Sequence, residues 1–208
     1  MSNKSDGPLL VQQRITELLT ELGRRCAAIG LSVDMFVVGG GAIALAYNGQ
    51  RATRDIDAIF EPKMRVYEVV RSMADELGLP QDWLNDGVKG LLPDFEDSGR
   101  QFTVVSEGIC IVVPSPEYLF AMKAVSARIG VDDDDLKLLG ARIGITTVDQ
   151  AYEVVERFYR QERIPAKAWF FMQAIYQDHV PLRSEESSDQ RSGRTDAASS
   201  SVARDPRR

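Results

Sequence analysis

Residues 37–61 read VVGGGAIALAYNGQRATRDIDAIFE, and this stretch restricts the fold more than any other. The apolar run Asp34–Val38 is short enough for a buried strand and stops at Gly39-Gly40-Gly41, where backbone without side chains turns freely. A small-residue helix over Ala42–Tyr47 follows, closed by Asn48-Gly49. Arg54–Phe60 then alternates polar and apolar residues as a strand does, with Ile56, Ala58 and Phe60 on one face. Strand, glycine turn, helix and second strand therefore fit within some 30 residues.

The flanking sequence completes an α+β pattern. Ile15, Leu18, Leu19, Leu22, Cys26 and Ile29 repeat at helical spacing over Leu9–Ile29, before Gly30. A helix over Lys63–Leu77 is ended by Gly78 and Pro80, and Trp83–Pro93 is a mixed loop or short-helix region in which Trp83 reads as core. Phe102–Val105 and Ile109–Val113, separated by Ser106-Glu107-Gly108, read as a hairpin. From Pro116 onward the pattern is helical: Glu117–Ile129, Asp132–Arg142, a helix after Thr147, and Ala166–Gln177. Thr147 and Gln150 have capping-box spacing. Strands first and helices after favour a small mixed sheet with a C-terminal helical half over a doubly wound parallel sheet. The expected organisation is residues 1–113 as the core with its N-terminal helix, 114–183 as a helical region completing the site, and 184–208 as a disordered tail.

The tail expectation comes from composition. Ser184–Arg208 holds seven serines and only four aliphatic residues, too little apolar area to offset ordering its backbone. Its five basic and five acidic groups cancel, so the net charge of −6 belongs to the first 183 residues. That acidic balance argues against a basic coat for long duplexes but allows a local basic groove. No apolar run approaches membrane-spanning length and the start lacks a signal-peptide build, so a cytoplasmic protein with no membrane association is expected. Cys26 and Cys110 lie in apolar runs and fit buried thiols better than a disulfide framework. The single histidine, His179, leaves little for a histidine-based triad or a zinc centre and is expected to be uninvolved.

The chemistry concentrates in the opening stretch. Glycines after a strand let the backbone approach a ligand, and the next helix offers free N–H groups to a phosphate. Asp55 and Asp57, two apart in an extended segment, point to the same face and repel unless a cation lies between them. Mg²⁺ suits such hard oxygen ligands together with substrate phosphates. A phosphate cradle beside paired carboxylates is what metal-assisted nucleotidyl transfer needs.

Gly39-Gly40 followed by Asp55-Ile56-Asp57 resembles the signature of the nucleotidyltransferase superfamily that includes DNA polymerase β. More narrowly, Gly39 through Arg51-Ala52-Thr53-Arg54-Asp55-Ile56-Asp57 is similar to the minimal nucleotidyltransferases of the AbiEii/MenT type, toxins of toxin–antitoxin modules. Trp83-Leu84-Asn85-Asp86 and the later Lys123…Arg128…Asp132-x-x-Asp135-Leu136 extend that resemblance over about half the chain. It implies a polymerase-β-like fold and Mg²⁺-dependent transfer of a nucleoside monophosphate from an NTP. It further implies the 3′ end of tRNA as acceptor, a block on translation, and a cognate antitoxin as protein partner. By position, Asp55 and Asp57 would bind the metal, and Gly39 and Gly40 would line the triphosphate. Lys123 would neutralise phosphate charge, Asp135 would complete the catalytic set, and Arg51 and Thr53 would meet the nucleotide. Thr53 would also be a place for covalent inactivation by phosphate. One departure stands out: the expected later strands hold no acid, so Asp86 or the Asp132–Asp135 run supplies a third carboxylate, or the site works with two.

Other readings of the same residues stay open. Gly39-x-Gly41-x-x-Ala44 has dinucleotide-fingerprint spacing, with Glu61 as its acid, or marks a merely structural turn. Asp55 and Asp57 also fit solvated acids on an edge strand. Lys123 reads equally as a snorkelling surface lysine, and Asp132–Asp135 as an acidic first turn favoured by the helix dipole. Arg157-Phe158-Tyr159-Arg160 with Arg163 and Lys167 mixes bases and aromatics as an RNA surface does, although helical spacing makes the aromatics core first. The acceptor could instead be a small-molecule or protein hydroxyl, or the chain could be an inactive nucleotide-binding or partner-binding module.

Overall fold

The computed structural model describes residues 8–176, with 101–106 as backbone only. The expected disordered tail and His179 lie outside the described residues. Five strands form one mixed sheet: β1 (Val33–Val38), β2 (Ile56–Glu61), β3 (Leu84–Asn85), β4 (Gln101–Ser106) and β5 (Ile109–Val113). Their order across the sheet is β3-β2-β1-β5-β4. β1 runs antiparallel to β2 and parallel to β5, β3 is parallel to β2, and β4 closes the predicted hairpin with β5.

Alternation decides which face is covered. Val33, Met35 and Val37 of β1, Ile56, Ala58 and Phe60 of β2, and Ile109, Ile111 and Val113 of β5 are buried. They meet α1 (Gln12–Ala28), through Ile15, Leu18, Leu19 and Leu22, and α3 (Lys63–Leu77), through Val66, Val70 and Met73. The other face, with Asp34, Phe36, Asp57, Ile59 and Glu61, is half-buried or exposed. Trp83 is core as expected, its indole N–H donating to the Val70 carbonyl at 3.3 Å.

The helical half is built around α4 (Pro116–Ser126), which is buried on every side from Tyr118 to Val125. Its start is fixed by Ser115, whose hydroxyl accepts from the Tyr118 N–H, and by Pro116 in the first turn. α5 (Asp133–Arg142), α6 (Val148–Phe158) and α7 (Ala166–Tyr176) pack on it. The Thr147/Gln150 capping box is formed at the start of α6. Side chains from before and after residue 113 share one continuous core, Met35 and Trp83 with Phe120 and Leu136 among them.

Two local differences from the sequence reading matter for the site. α2 spans Gly39–Ala46, so the glycines form the first turn of the helix rather than a turn ahead of it. β2 begins at Ile56, which leaves Asp55 in a bend just before the strand while Asp57 sits within it. That bend is held by a two-way backbone bridge: Leu10 N–H donates to the Thr53 carbonyl at 2.7 Å, and Thr53 N–H to Leu10 at 2.9 Å.

Candidate active site

The end of β1, the start of α2 and the 51–57 segment open onto a cavity of about 880 Å³ that α4 closes from the other side. Gly39, Gly40, Arg51, Thr53, Asp55, Asp57 and Lys123 all line it. Asp135 does not. Asn85, Asp82 and Arg128 join the lining, and Leu91, Leu119, Met122 and Val131 give it an apolar wall.

The glycines are small because two side chains come close. A Cβ on Gly39 would stand 3.0 Å from the Asp57 Oδ2, and the residue's φ of +62° disfavours any side chain. A Cβ on Gly40 would stand 2.8 Å from the Thr53 Oγ1. The Asp57 carboxylate thus faces the first turn of α2, where backbone N–H groups lack helical partners. Thr53 donates its hydroxyl to the Asp55 carbonyl at 3.1 Å, which fixes the bend. Asn85 lies opposite Asp57 across β2 and β3. Its amide donates to Asp55 Oδ2 at 3.4 Å, and its own oxygen accepts from the Gly87 N–H at 2.9 Å. The amide is therefore oriented with its donor toward the acid.

The cavity's cations, Arg51 beside Gly40 and Lys123 and Arg128 from the helical half, stand on two buried aspartates. Lys123 is only 4 % exposed and pairs with Asp132 at 2.7 Å and Asp135 at 2.8 Å. Arg51 grips Asp135 with two prongs, and Arg128 grips Asp132 the same way, Nε and Nη2 each at 2.8 Å. Ser126 donates to Asp132 at 3.0 Å. Burial pushes the carboxyls of Asp132 and Asp135 up, but the arginine hydrogen bonds and the Lys123 charge outweigh it, so both end below the usual range. The same bonds raise Arg51 and Arg128.

This arrangement resolves the open readings of Lys123 and Asp135. Lys123 is not a snorkelling surface lysine, because its ammonium is buried between two carboxylates. Asp135 anchors Arg51 and Lys123 from below the cavity lining instead of presenting an acid to it. Asp86 is likewise spent, on Lys63 at 2.5 Å, Lys89 at 3.0 Å and the Tyr67 hydroxyl at 2.7 Å. The exposed Asp82 is the further acid on the lining, and no sequence motif singles it out. Among the described residues, no group of three or more acidic, histidine or cysteine side chains is gathered as a metal site. Asp55 and Asp57 nevertheless fit Mg²⁺, which takes one or two carboxylates and completes its shell with phosphate and water.

Of the basic run near the C-terminal end, Arg163 pairs with Asp94 at 2.9 Å and Lys167 donates to the Ser126 carbonyl at 3.0 Å. Tyr159 is core.

The family described as "Nucleotidyltransferase of unknown function (DUF6036)" matches residues 13–170, which spans the sheet, the cavity and the helical half. The chain belongs to this nucleotidyltransferase family. A nucleotidyltransferase of this kind fits a cavity lined by Asp55, Asp57 and three cations. An antigenic nucleotidyltransferase-like protein from Paracoccidioides brasiliensis is similar in structure, at 13 % identity and a TM-score of 0.44, over 82 % of this chain and 100 % of that one. No curated protein matches. No helix among the described residues is long and apolar enough to cross a membrane.

Proposed function

We propose that this DUF6036 nucleotidyltransferase moves a nucleoside monophosphate from an NTP to an acceptor hydroxyl, with pyrophosphate released. The observation that supports the reading most is the meeting of unlike charges in one cavity: Asp55 and Asp57 share its lining with Arg51, Lys123 and Arg128. Asp55 and Asp57 would hold Mg²⁺, which when bound supplies positive charge to the transferring and leaving oxygens. The first turn of α2 would take phosphate oxygens on its N–H groups, with Gly39 and Gly40 allowing the close approach. Arg51 and Lys123, prealigned by Asp135, would neutralise charge on the pyrophosphate as the bond from its oxygen to the α-phosphorus breaks. The acceptor oxygen forms the new bond to that phosphorus, and its proton leaves to a cavity carboxylate or water. The apolar wall of Leu119 and Met122 suits a nucleobase.

The finer assignment rests on the resemblance to AbiEii/MenT-type toxins. It supports the 3′ end of tRNA as acceptor, translation as the process blocked and a cognate antitoxin as partner, with the cytoplasm, expected from the sequence, as the place. Incubating the full chain with each labelled NTP, Mg²⁺ and total RNA tests both levels. Label in tRNA-sized RNA is the expected result. Pyrophosphate release without RNA labelling would transfer the acceptor role to a small molecule or protein, and no release with any acceptor would end the transferase reading.

A further inference from the structure

A second cavity, of about 520 Å³, lies on the same open face of the sheet, at the far end of β1 and β2 from the active cavity. Its floor is apolar and aromatic: Phe36 and Ile59 from the sheet, Tyr118 from α4, and Phe95 from the 92–97 segment, 46 % exposed. Phe36 meets Tyr118 edge-to-face at 5.8 Å. Its rim is acidic. Asp34, Glu61, Asp94, Glu96 and Asp97 line it together with Arg100.

Not all of these acids are spoken for. Asp94 pairs with Arg163, and the buried Asp97 accepts from the Ser115 and Gly99 backbone N–H groups at 2.6 and 3.0 Å. Asp34 and Glu61 are different. They are directly opposed across β1 and β2, both exposed, and among the described residues neither forms an ion pair, although Glu61 accepts from the Lys63 backbone N–H at 3.1 Å. Like charges set directly opposite on neighbouring strands destabilise a sheet. Their neighbours on the same face are the opposed apolar pair Phe36 and Ile59.

We infer that this groove docks a basic segment of a partner polypeptide, an arginine or lysine settling between Asp34 and Glu61 while an adjoining apolar side chain covers Phe95. The inference goes beyond nucleotidyl transfer and does not depend on it. The charge excludes a nucleic acid as the natural occupant, since a phosphate backbone would meet the same rim with repulsion. An organic cation on an apolar stem satisfies both the acids and the aromatic floor, which also attracts cations through its ring faces. A bare metal ion would leave that floor uncovered. A polypeptide, unlike a free polyamine, also supplies the apolar anchor that an exposed phenylalanine wants.

The test uses the full chain without NTP and a short fluorescein-labelled peptide alternating arginine with leucine, read by anisotropy. Asp34→Lys with Glu61→Lys should weaken binding at least about tenfold, whereas the remote pair Glu17→Lys with Glu153→Lys, equal in net charge, should change it less than about twofold. The milder Asp34→Asn with Glu61→Gln guards against misfolding. It should weaken the peptide while leaving the chain as stable or more so in urea, because it removes the repulsion across the strands. A purely structural role predicts the opposite stability change. Equal losses from the groove and remote pairs would overturn the inference. So would equal binding of a peptide with glycine in place of leucine, displacement by spermidine at matched charge, or displacement by an RNA oligonucleotide. NTP labelling is read separately and should be unaffected by the neutral pair, so failure of either reading leaves the other intact.

Discussion

Arg51 and Asp135, 84 residues apart in sequence, are joined by two parallel hydrogen bonds, Nε to Oδ1 at 2.7 Å and Nη2 to Oδ2 at 3.1 Å. The pair ties the loop before β2 to the first turn of α5 and sets a guanidinium on the cavity wall. Because Asp135 is nearly buried and also holds Lys123, its removal leaves two cations short of their counter-charge. Asp135→Ala should cost about 3–5 kcal/mol of stability, the scale for stripping one partner from a buried pair. Urea unfolding measures it, and a loss below about 1 kcal/mol would mean the network is looser than the distances indicate.

The same carboxyls set an acid limit on the fold. Asp132 and Asp135 are held below the ordinary carboxylate range in the folded chain. Their unfolded values are near 3.9. Depressed groups of this kind contribute stability that is fully present above about pH 4 and lost as pH falls through the folded values. Stability at pH 7 should therefore exceed that at pH 3. In Asp132→Asn with Asp135→Asn that difference should shrink, as urea midpoints at the two pH values will register.

Gly39→Ala combines two costs. The left-handed backbone disfavours a Cβ by roughly 1–2 kcal/mol, and the new methyl sits 3.0 Å from the Asp57 carboxylate. Stability should drop by about that amount, and NTP turnover should fall further than stability explains, because Asp57 is displaced. Gly40→Ala meets the Thr53 hydroxyl at 2.8 Å instead. Its loss of stability should be partly restored in Gly40→Ala with Thr53→Ala, where the crowding hydroxyl is gone, as urea midpoints will register. Turnover assays on Gly39→Ala check the other outcome.

Asp57→Asn preserves shape and removes charge. Pyrophosphate release should fall at least about a hundredfold, the scale of losing a preorganised charge stabiliser at the transition state. Circular dichroism and urea midpoints should stay close to those of the parent. Activity that persists would take Asp57 out of the proposed site.

Ala127 ends α4 in the left-handed region, at φ 45°, and re-aims the chain so that Arg128 reaches Asp132. Only glycine adopts that conformation without steric cost. Ala127→Gly should raise stability by about 0.5–1 kcal/mol, the difference between relieved strain and added chain entropy. Thermal unfolding would reveal the gain as a higher Tm.

The sequence made legible what local spacing encodes. Alternation identified the buried face of β2, the Thr147–Gln150 spacing identified the start of α6, and Asp55 with Asp57 pointed to the cavity they line. The structure differs where a residue's role depends on a distant partner. Lys123 on its helix looked the same whether it faced solvent or carboxylates, and nothing near Asp135 announces Arg51. A local signal did exist: Asp132 and Asp135, three apart, share a face of one helix turn and can meet a common cation. The 92–97 segment carries no local signal for a different reason. Its groove exists only through strand register, which places Asp34 against Glu61 from strands read separately.

β2 supplies both cavities from six residues, Asp57 to the one and Ile59 and Glu61 to the other, while Ile56, Ala58 and Phe60 fill the interior. The two sites therefore share a parity. A one-residue insertion or deletion inside this hexapeptide would invert every position beyond it, driving acids into the hydrophobic interior and phenylalanine into water. Length variation among homologues should fall in the neighbouring turns, around Asn48–Gln50 and Gly78–Gln81, and spare the strand itself. Whatever selection asks of one end of β2, the other end constrains the answer.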